Sequence, residues 1–238
     1  MLRATDITVR FGGVRAIENV SMALQRTEIL GLIGPNGAGK TTMVNVLSGF
    51  QQPHQGSVTL AGEKTGPLRA DRLARSGVVR TFQAVRLFPG LTVSENLEVG
   101  LGSRGLGRAA ARRRAAELLD YMGLAARAHM PGNALSYGEE RRVGIARALA
   151  LQPNFLLLDE PAAGLNIGEA EALGDLIRRI RADFGCGVLV IEHNMKLVMG
   201  LCERLHVLAS GRTIAEGSPA DVFRDTAFRS AYLGAEPA

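Results

Sequence analysis

The chain has 238 residues, of which 46% are hydrophobic and 21% are charged, and its formal net charge is +5 at pH 7. This length allows one large α/β domain or a core with a smaller subdomain, and the hydrophobic content excludes wholesale disorder. We find no signal peptide and no run near the roughly 18 apolar residues of a membrane span, and the only two cysteines, Cys186 and Cys202, lead us to expect a reducing cytoplasm.

The first part of the chain is predicted to be rich in β-strands. Ile7, Val9 and Phe11 alternate with polar residues before a Gly12-Gly13 turn, and apolar runs follow at 16–24 and 28–33. The aromatic ring of Phe11 suits either stacking on an adenine ring or packing into the core, and most Phe residues are core residues.

Residues 34–42 carry the strongest chemical signal. They match the phosphate-loop pattern of Gly, four residues, then Gly-Lys-Thr, with a buried strand before them and a helix over 41–48 after them. Glycines let successive N–H groups face one concavity, and the helix adds the positive end of its dipole. Lys40 can reach the β- and γ-phosphates, and the Thr41 hydroxyl can hold Mg²⁺. We expect a nucleoside triphosphate to bind to Gly34, Pro35, Asn36, Gly37, Ala38, Gly39, Lys40, Thr41 and Thr42.

A helical insertion is predicted to follow the next strands. We expect a strand at 57–60, a short helix ending near Gly77, and a strand at 78–83 that ends on Gln83, where a glutamine is usually a surface amide. Residues 84–135 then predict a helix beginning at 91–97 behind a capping box and a second helix over 104–122. The second helix carries a basic run that we interpret as a solvated face rather than a contact with lipid or nucleic acid. This run consists of Arg108, Arg112, Arg113 and Arg114.

Two polar groups are placed where ligands bind in α/β proteins. Ser136 as the cap of a helix over 140–151 would leave N–H groups able to meet an anion, although an ordinary cap fits equally well. The apolar run 155–158 delivers the carboxylates of Asp159 and Glu160 to the C-terminal end of a strand. There, one carboxylate can hold Mg²⁺ and its neighbour can accept a proton from an attacking water.

The remaining elements are a loop at 162–166, a helix around 169–182 and a buried strand at 187–191. That strand ends on His193, which suits either contact with a γ-phosphate or a plain polar strand end. A β-hairpin over 205–216 and one or two helices over 219–233 close the chain. The other histidines, His54, His129 and His206, are expected to be surface or core residues.

Taken together, these motifs resemble those of an ATP-binding-cassette (ABC) ATPase, the motor subunit of ABC transporters, over essentially the whole chain. The matching motifs are Walker A at 34–42, the Q-loop at Gln83, the signature at 135–139, Walker B at 155–160, the D-loop at 163–166 and the switch histidine at His193. More narrowly, the chain is similar to the ATPases of bacterial branched-chain amino acid importers. The strings that carry this similarity lie at 10–14, 81–88, 161–166, 191–200 and 231–234.

The resemblance implies a single ABC ATPase domain over residues 1–238 with a P-loop NTPase core of the α/β class. Its sheet would be mostly parallel, with an N-terminal antiparallel β part and a helical subdomain. Residues 1–83 and 153–238 would form the core with the antiparallel part, and residues 84–152 would form the helical subdomain.

The resemblance also implies a role for each motif. Phe11 would stack on adenine in place of the usual tyrosine, and residues 34–42 would wrap the triphosphate of ATP. Thr41, Gln83 and Asp159 would hold Mg²⁺, directly or through water. Glu160 would polarise the attacking water, and His193 would hold the γ-phosphate and that water in line. The residues that would meet the ATP of the opposite subunit are Ser136, Tyr137, Gly138 and Glu139.

The partners that the resemblance implies are a second ABC ATPase subunit, identical or different, and integral membrane permease subunits. An extracytoplasmic substrate-binding protein would act indirectly, no nucleic acid is expected, and the chain would sit peripherally on the cytoplasmic face of the inner membrane. One alternative is the ATPase of a lipid or lipopolysaccharide exporter. Another is a non-transport ABC ATPase acting on ribosomes or DNA, which usually has a second cassette or a long coiled coil.

Besides Phe11, four departures from the family pattern stand out. Tyr137 occupies a signature position where Gly is commonest, and Glu139 one where Gln is. Both leave the Ser136 hydroxyl and the Gly138 N–H in place, so we expect function to survive. Asn166 replaces the frequent Asp of the D-loop, and the segment around 101–115 is shorter than in close relatives.

Overall fold

The structure is a computed structural model that describes residues 1–67 and 69–233. Gly234, the last residue of one string similar to the importer ATPases, lies outside the described residues. The described strands form one sheet of six strands and one of four. The strands are β1 (Leu2–Phe11), β2 (Val14–Leu24), β3 (Ile29–Ile33), β4 (Gln55–Leu60), β5 (Glu63–Lys64), β6 (Val78–Arg80), β7 (Phe155–Asp159), β8 (Gly187–Ile191), β9 (Arg204–Ala209) and β10 (Arg212–Gly217).

The six-stranded sheet has the order β10-β9-β3-β8-β7-β6. All its neighbours are parallel except the β9–β10 hairpin, whose turn at Ser210 and Gly211 is as predicted. Its central strands are buried on both faces, which explains their uninterrupted apolar sequences. In β8, Val188 and Val190 face one hydrophobic core while Leu189 faces the other, so this sheet separates two cores.

The four-stranded sheet has the order β2-β1-β4-β5 and is antiparallel. Its buried side chains, among them Ile7, Val9 and Val20, join the core on one face of the larger sheet. The helix at 40–47 packs into this same core, whereas the helix at 167–184 packs on the opposite face of the larger sheet. With its parallel sheet, antiparallel N-terminal sheet and helices, the architecture confirms the predicted fold class.

Nine α-helices are described: α1 (Lys40–Leu47), α2 (Ala70–Arg75), α3 (Val93–Gly102), α4 (Arg108–Tyr121), α5 (Tyr137–Leu149), α6 (Ile167–Phe184), α7 (Met195–Leu201), α8 (Pro219–Arg224) and α9 (Thr226–Leu233). Side-chain caps begin several of them, including capping boxes at Thr92, Ser136 and Asn166. Among the described helices, none combines the length and hydrophobicity that a membrane crossing requires.

Two predicted elements are shorter than the sequence suggested. The strand expected at 78–83 stops at Arg80, because the carbonyls of Phe82 and Gln83 accept from Arg141 instead of a neighbouring strand. Gln83 therefore lies in a loop and not at a strand end. The helix expected over 104–122 begins at Arg108, since Gly105, with φ of +80°, ends the preceding helical segment.

Two short elements, β5 and α7, were not predicted, because each has too few residues to show a periodic pattern. The basic run on α4 is exposed at Arg108, Arg112 and Arg113, as expected of a solvated face. Of the three histidines without motif context, two are exposed, whereas His206 is fully buried and contacts Thr213 at 2.9 Å.

Candidate nucleotide site

The phosphate loop joins β3 to α1 in a path that only glycine can follow at two positions. A β-carbon on Gly34 would lie 2.2 Å from the carbonyl oxygen of Leu208 in β9. Gly39 has a φ of +102°, and a β-carbon there would lie 2.6 Å from the carbonyl oxygen of Ala16. The loop is therefore pressed against β2 on one side and β9 on the other, which fixes its shape before any ligand arrives.

The start of α1 is suited to an anion. The first N–H groups of a helix have no partner within it, and Gly39 at the cap position has no side chain to satisfy them. No acidic residue lies in the first turn to neutralise the positive end of the helix dipole. The loop thus presents N–H groups and a positive potential at one point, the arrangement that binds phosphate.

Lys40 adds a cation at the same point. Its Nζ donates to the carbonyl oxygens of Gly34 at 2.6 Å and Pro35 at 3.0 Å. Burial lowers the pKa of Lys40, and the nearby carboxylates of Glu160 and Asp159 oppose that shift. Backbone carbonyls are weak partners for an ammonium group, so a phosphate oxygen would compete for it successfully.

Asp159 ends β7 beside an arginine that sequence reasoning did not identify. The Arg80 guanidinium donates to Asp159 Oδ2 at 2.6 Å and to Asn45 Oδ1 at 2.5 Å, and it lies 4.8 Å from the ring centroid of Phe82. The Arg80 and Asp159 side chains are only 5% and 12% exposed. This ion pair fixes one carboxylate oxygen of Asp159 and joins β6, β7 and α1.

Glu160, directly after β7, has a strained backbone. Its φ is +46°, a left-handed conformation that costs a residue with a side chain about 1–3 kcal/mol. The Glu160 N–H donates to Ile191 O at 3.0 Å, and its carboxylate accepts from the Gln83 amide at 2.8 Å. The strain is thus maintained by β8, and the Q-loop amide orients the carboxylate.

The end of β8 separates an exposed histidine from a buried glutamate. His193 is exposed, and no side-chain partner of it is found among the described residues. Glu192 is 1% exposed, and its carboxylate accepts from the N–H groups of Ala162 at 2.7 Å and His193 at 3.2 Å. Glu192 thus connects the loop after β7 to the end of β8. Its position directly after an apolar strand was the sequence feature that could have predicted this role.

Ser136 begins α5 with a complete capping box. Its hydroxyl accepts from the Glu139 N–H at 3.3 Å, and the Glu139 carboxylate accepts from the Ser136 N–H at 2.8 Å. These bonds and the ion pair with Arg127 at 2.8 Å hold the pKa of Glu139 below its ordinary value. Glu139, which departs from the commonest signature residue, thus caps the helix that carries Ser136 and Gly138.

The structure joins Gln83 to Glu160 by a hydrogen bond, and it places the carboxylates of Glu160 and Asp159 near enough to Lys40 to act on its pKa. The Phe11 side chain is 51% exposed, so the alternative that it packs into the core is wrong. Within the described residues, no hydrogen bond or ion pair links Ser136–Glu139 to Lys40, Asp159 or Glu160. In the described part of the chain, the signature is thus not bonded directly to these three residues.

Comparisons with known proteins identify the family of the chain. The family model described as "ABC transporter" matches residues 17–163. The branched-chain amino acid transport ATP-binding protein LivG of Salmonella typhimurium is 44% identical, with 98% of each chain covered, and BraF of Pseudomonas aeruginosa is 40% identical, with the same coverage.

Solved structures of ATP-binding cassettes share the fold. The ADP conformation of MJ1267 has a TM-score of 0.89 at 29% identity, with 98% of each chain covered. The dimeric structure of MJ0796 has a TM-score of 0.82 at 30% identity, covering 92% of this chain and 99% of that one. The chain therefore belongs to the ABC transporter family, in which it is an ATP-binding, ATP-hydrolysing cassette.

Proposed function

We propose that the chain is the ATPase subunit of a bacterial importer for branched-chain or related amino acids. The observation that carries this proposal is the 44% identity to LivG over 98% of both chains. An exporter ATPase or a ribosome- or DNA-acting ATPase would share the phosphate loop, but neither is favoured by this full-length similarity.

In this proposal, the residues of the site divide the work of binding ATP. Phe11, exposed at the end of β1, stacks on the adenine ring, and residues 34–42 wrap the phosphates. Lys40 exchanges its two carbonyl partners for phosphate oxygens. This exchange replaces neutral acceptors by charged ones, which form stronger hydrogen bonds.

The residues also fit a magnesium ion bound together with the nucleotide. No group of three or more His, Cys, Asp or Glu in the described part of the chain could hold a metal ion on its own. Magnesium typically takes only one or two protein carboxylates and completes its shell with phosphate oxygens and water, which agrees with that finding. The protein ligands would be Thr41 and Asp159, with Gln83 acting directly or through water. Bound there, the ion would neutralise charge on the β- and γ-phosphates.

Catalysis is assigned to Glu160 and His193. Glu160 accepts a proton as water attacks the γ-phosphorus and the bond to the β-phosphate oxygen breaks. The Gln83 amide, 2.8 Å from the Glu160 carboxylate, orients this base. His193 is exposed after β8, from where we assign it the contact with the γ-phosphate and the water.

The second half of the site comes from another subunit. Among the described residues, no direct bond joins the signature to the phosphate loop of its own chain. We infer that the signature meets ATP bound to a partner cassette, through Ser136, Tyr137, Gly138 and Glu139. The dimeric form of MJ0796, a cassette of the same fold, supports this arrangement. A γ-phosphate that contacts both subunits favours the closed dimer over the open one, and its hydrolysis removes that preference.

The remaining partners follow from the importer assignment. Residues 84–152 would act as a helical subdomain that moves against the core of 1–83 and 153–238. It would pass that motion to permeases from the cytoplasmic face of the membrane, and a substrate-binding protein would deliver the amino acid on the other face. The link from the site to this subdomain begins with the bond between Gln83 and Glu160.

The test is reconstitution of the chain in vesicles with branched-chain amino acid permeases from the same organism. ATP hydrolysis should rise when the cognate binding protein is added with leucine, isoleucine or valine, and lysine serves as the mismatched control. Stimulation by lysine alone, or assembly with no permease at all, would overturn the importer assignment.

A further inference from the structure

The loop after β6 is fastened to α5 by two arginines. Arg141 donates to the carbonyl oxygens of Gln83 and, at 3.4 Å, of Phe82. Arg147, nearly two turns further along α5, donates to the carbonyl oxygens of Val85 at 2.5 Å and Arg86 at 3.1 Å. Four of five consecutive carbonyls are thus held by one helix, the helix that begins at the signature serine.

Arg141 is an unusual residue to bury. It is 4% exposed, its Nε has no hydrogen-bond partner, and no carboxylate among the described residues pairs with it. Its charge is met by neutral groups only: two carbonyl oxygens, the Tyr137 hydroxyl and the Tyr137 ring, whose centroid lies 4.7 Å from the guanidinium carbon. Burying a cation without a counter-ion costs stability, so packing alone does not explain its presence.

Tyr137 extends this connection to the loop after β7. A β-carbon on Gly164 would lie 3.0 Å from Tyr137 Cε1, so the ring is pressed against the backbone at Gly164. At the other end, the Gln83 side chain holds Glu160 at 2.8 Å. A continuous path of contacts therefore runs from Gly164 through Tyr137, Arg141 and Gln83 to Glu160.

We propose that Arg141 is a positioning residue: it fixes the backbone at Gln83 so that the Gln83 side-chain amide can hydrogen-bond to the Glu160 carboxylate. Tyr137, which contacts Arg141, makes the position of Arg141, and so of Gln83, depend on where the signature lies. The inference rests on the proposed function, in which the signature meets a partner's ATP while Gln83 serves the ATP of its own chain. In such a dimer, ATP that contacts the signature of this chain would change the orientation of Glu160, the base at this chain's own ATP, through Tyr137 and Arg141.

The first test is a double-mutant cycle on ATP turnover. Arg141→Gln should lower kcat about tenfold with KM for ATP nearly unchanged, because Arg141 does not touch the phosphate loop. In a Gln83→Ala background the same substitution should change kcat less than about twofold, since its intermediary is gone. Equal losses in both backgrounds would overturn the proposal.

Two variants separate positioning from a structural role. Arg142→Gln is the matched control, because Arg142 is on the same helix and donates to a carbonyl, that of Met122 at 3.1 Å, without touching residues 82–86. It should leave kcat within about twofold. Tyr137→Phe removes only the hydroxyl that accepts from Arg141, and the ring is half-exposed, so this variant should fold. It therefore replaces Arg141→Gln in the test if Arg141→Gln does not fold. We expect about a threefold loss of kcat that also disappears in the Gln83→Ala background.

The second test needs no ATP, so it distinguishes failure of this inference from failure of the proposed function. The chain has no tryptophan, so Phe82→Trp places a single tryptophan in the fastened loop, and its fluorescence can be excited selectively at about 295 nm. Arg141→Gln should raise its quenching by acrylamide at least about twofold in the free protein, whereas Arg142→Gln should not. Unchanged quenching would refute the proposal that Arg141 fixes the loop after β6. A wild-type chain that does not turn over ATP would refute only the proposed function.

Discussion

Removing Asp159 should destabilise the protein even without nucleotide, because the side chain of Arg80 is only 5% exposed. Breaking a buried ion pair by removing one partner costs about 3–5 kcal/mol. The cost here should fall at or just below the lower end of that range, because Arg80 keeps its bond to Asn45 and its contact with the Phe82 ring. For Asp159→Ala we therefore expect a loss of about 2–3 kcal/mol, or a fall in Tm of about 5–10 °C.

The assay is thermal and urea unfolding followed by circular dichroism, in EDTA and without ATP. Adding Arg80→Met to Asp159→Ala should cost less than the sum of the single changes, because the double variant buries no unpaired charge. Asp175→Ala is the matched control: it breaks the exposed pair with Arg178 and should cost less than about 0.5 kcal/mol. A loss for Asp159→Ala as small as that of the control, or strict additivity of the two changes, would refute the reasoning.

Three further predictions concern the site and the thiols. Glu160→Gln should lower ATP turnover at least about a hundredfold while ATP still binds and a dimer accumulates on size-exclusion chromatography; normal turnover would remove the base from its role. Lys40→Ala should raise the Kd for ATP at least about tenfold by calorimetry, and unchanged affinity would contradict the loop assignment. Burial raises the pKa of Cys186 to about 11 and of Cys202 to about 12, so both thiols should resist Ellman's reagent at pH 8 in the native state and react in guanidinium. Their neutral forms favour the folded state below pH 9, and that contribution should be lost as pH rises through these values.

The features that sequence predicted best are local ones. The phosphate loop, the strand before it and the helix after it are contiguous, so their residue types alone specify them. The buried strands β7 and β8 were equally clear, because a strand covered on both faces needs an unbroken apolar run. The cap at Ser136 was also readable, since its partner Glu139 is three residues away.

The features that sequence missed depend on residues far apart in the chain. Arg80 finds Asn45 at a separation of 35 residues and Asp159 at 79, and Arg141 reaches Gln83 across 58. Nothing near Arg80 or Arg141 indicates such a partner, and an arginine on a strand or helix is ordinarily a surface residue. The early end of β6 has the same origin, because the carbonyls that leave the sheet are taken by α5.

The β9–β10 hairpin carries no motif, yet it contacts and supports the phosphate loop. The Gly211 N–H donates to Ala38 O at 3.1 Å, and Gly34 is packed against the carbonyl of Leu208. On the ribosome, the nascent chain exposes residues 34–42 long before it exposes the hairpin that braces them. The ability to bind ATP should therefore arise late in synthesis, once residue 211 has emerged. A chain stalled before that point would contain the complete motif, but its phosphate loop would lack the contacts that hold it in the binding conformation.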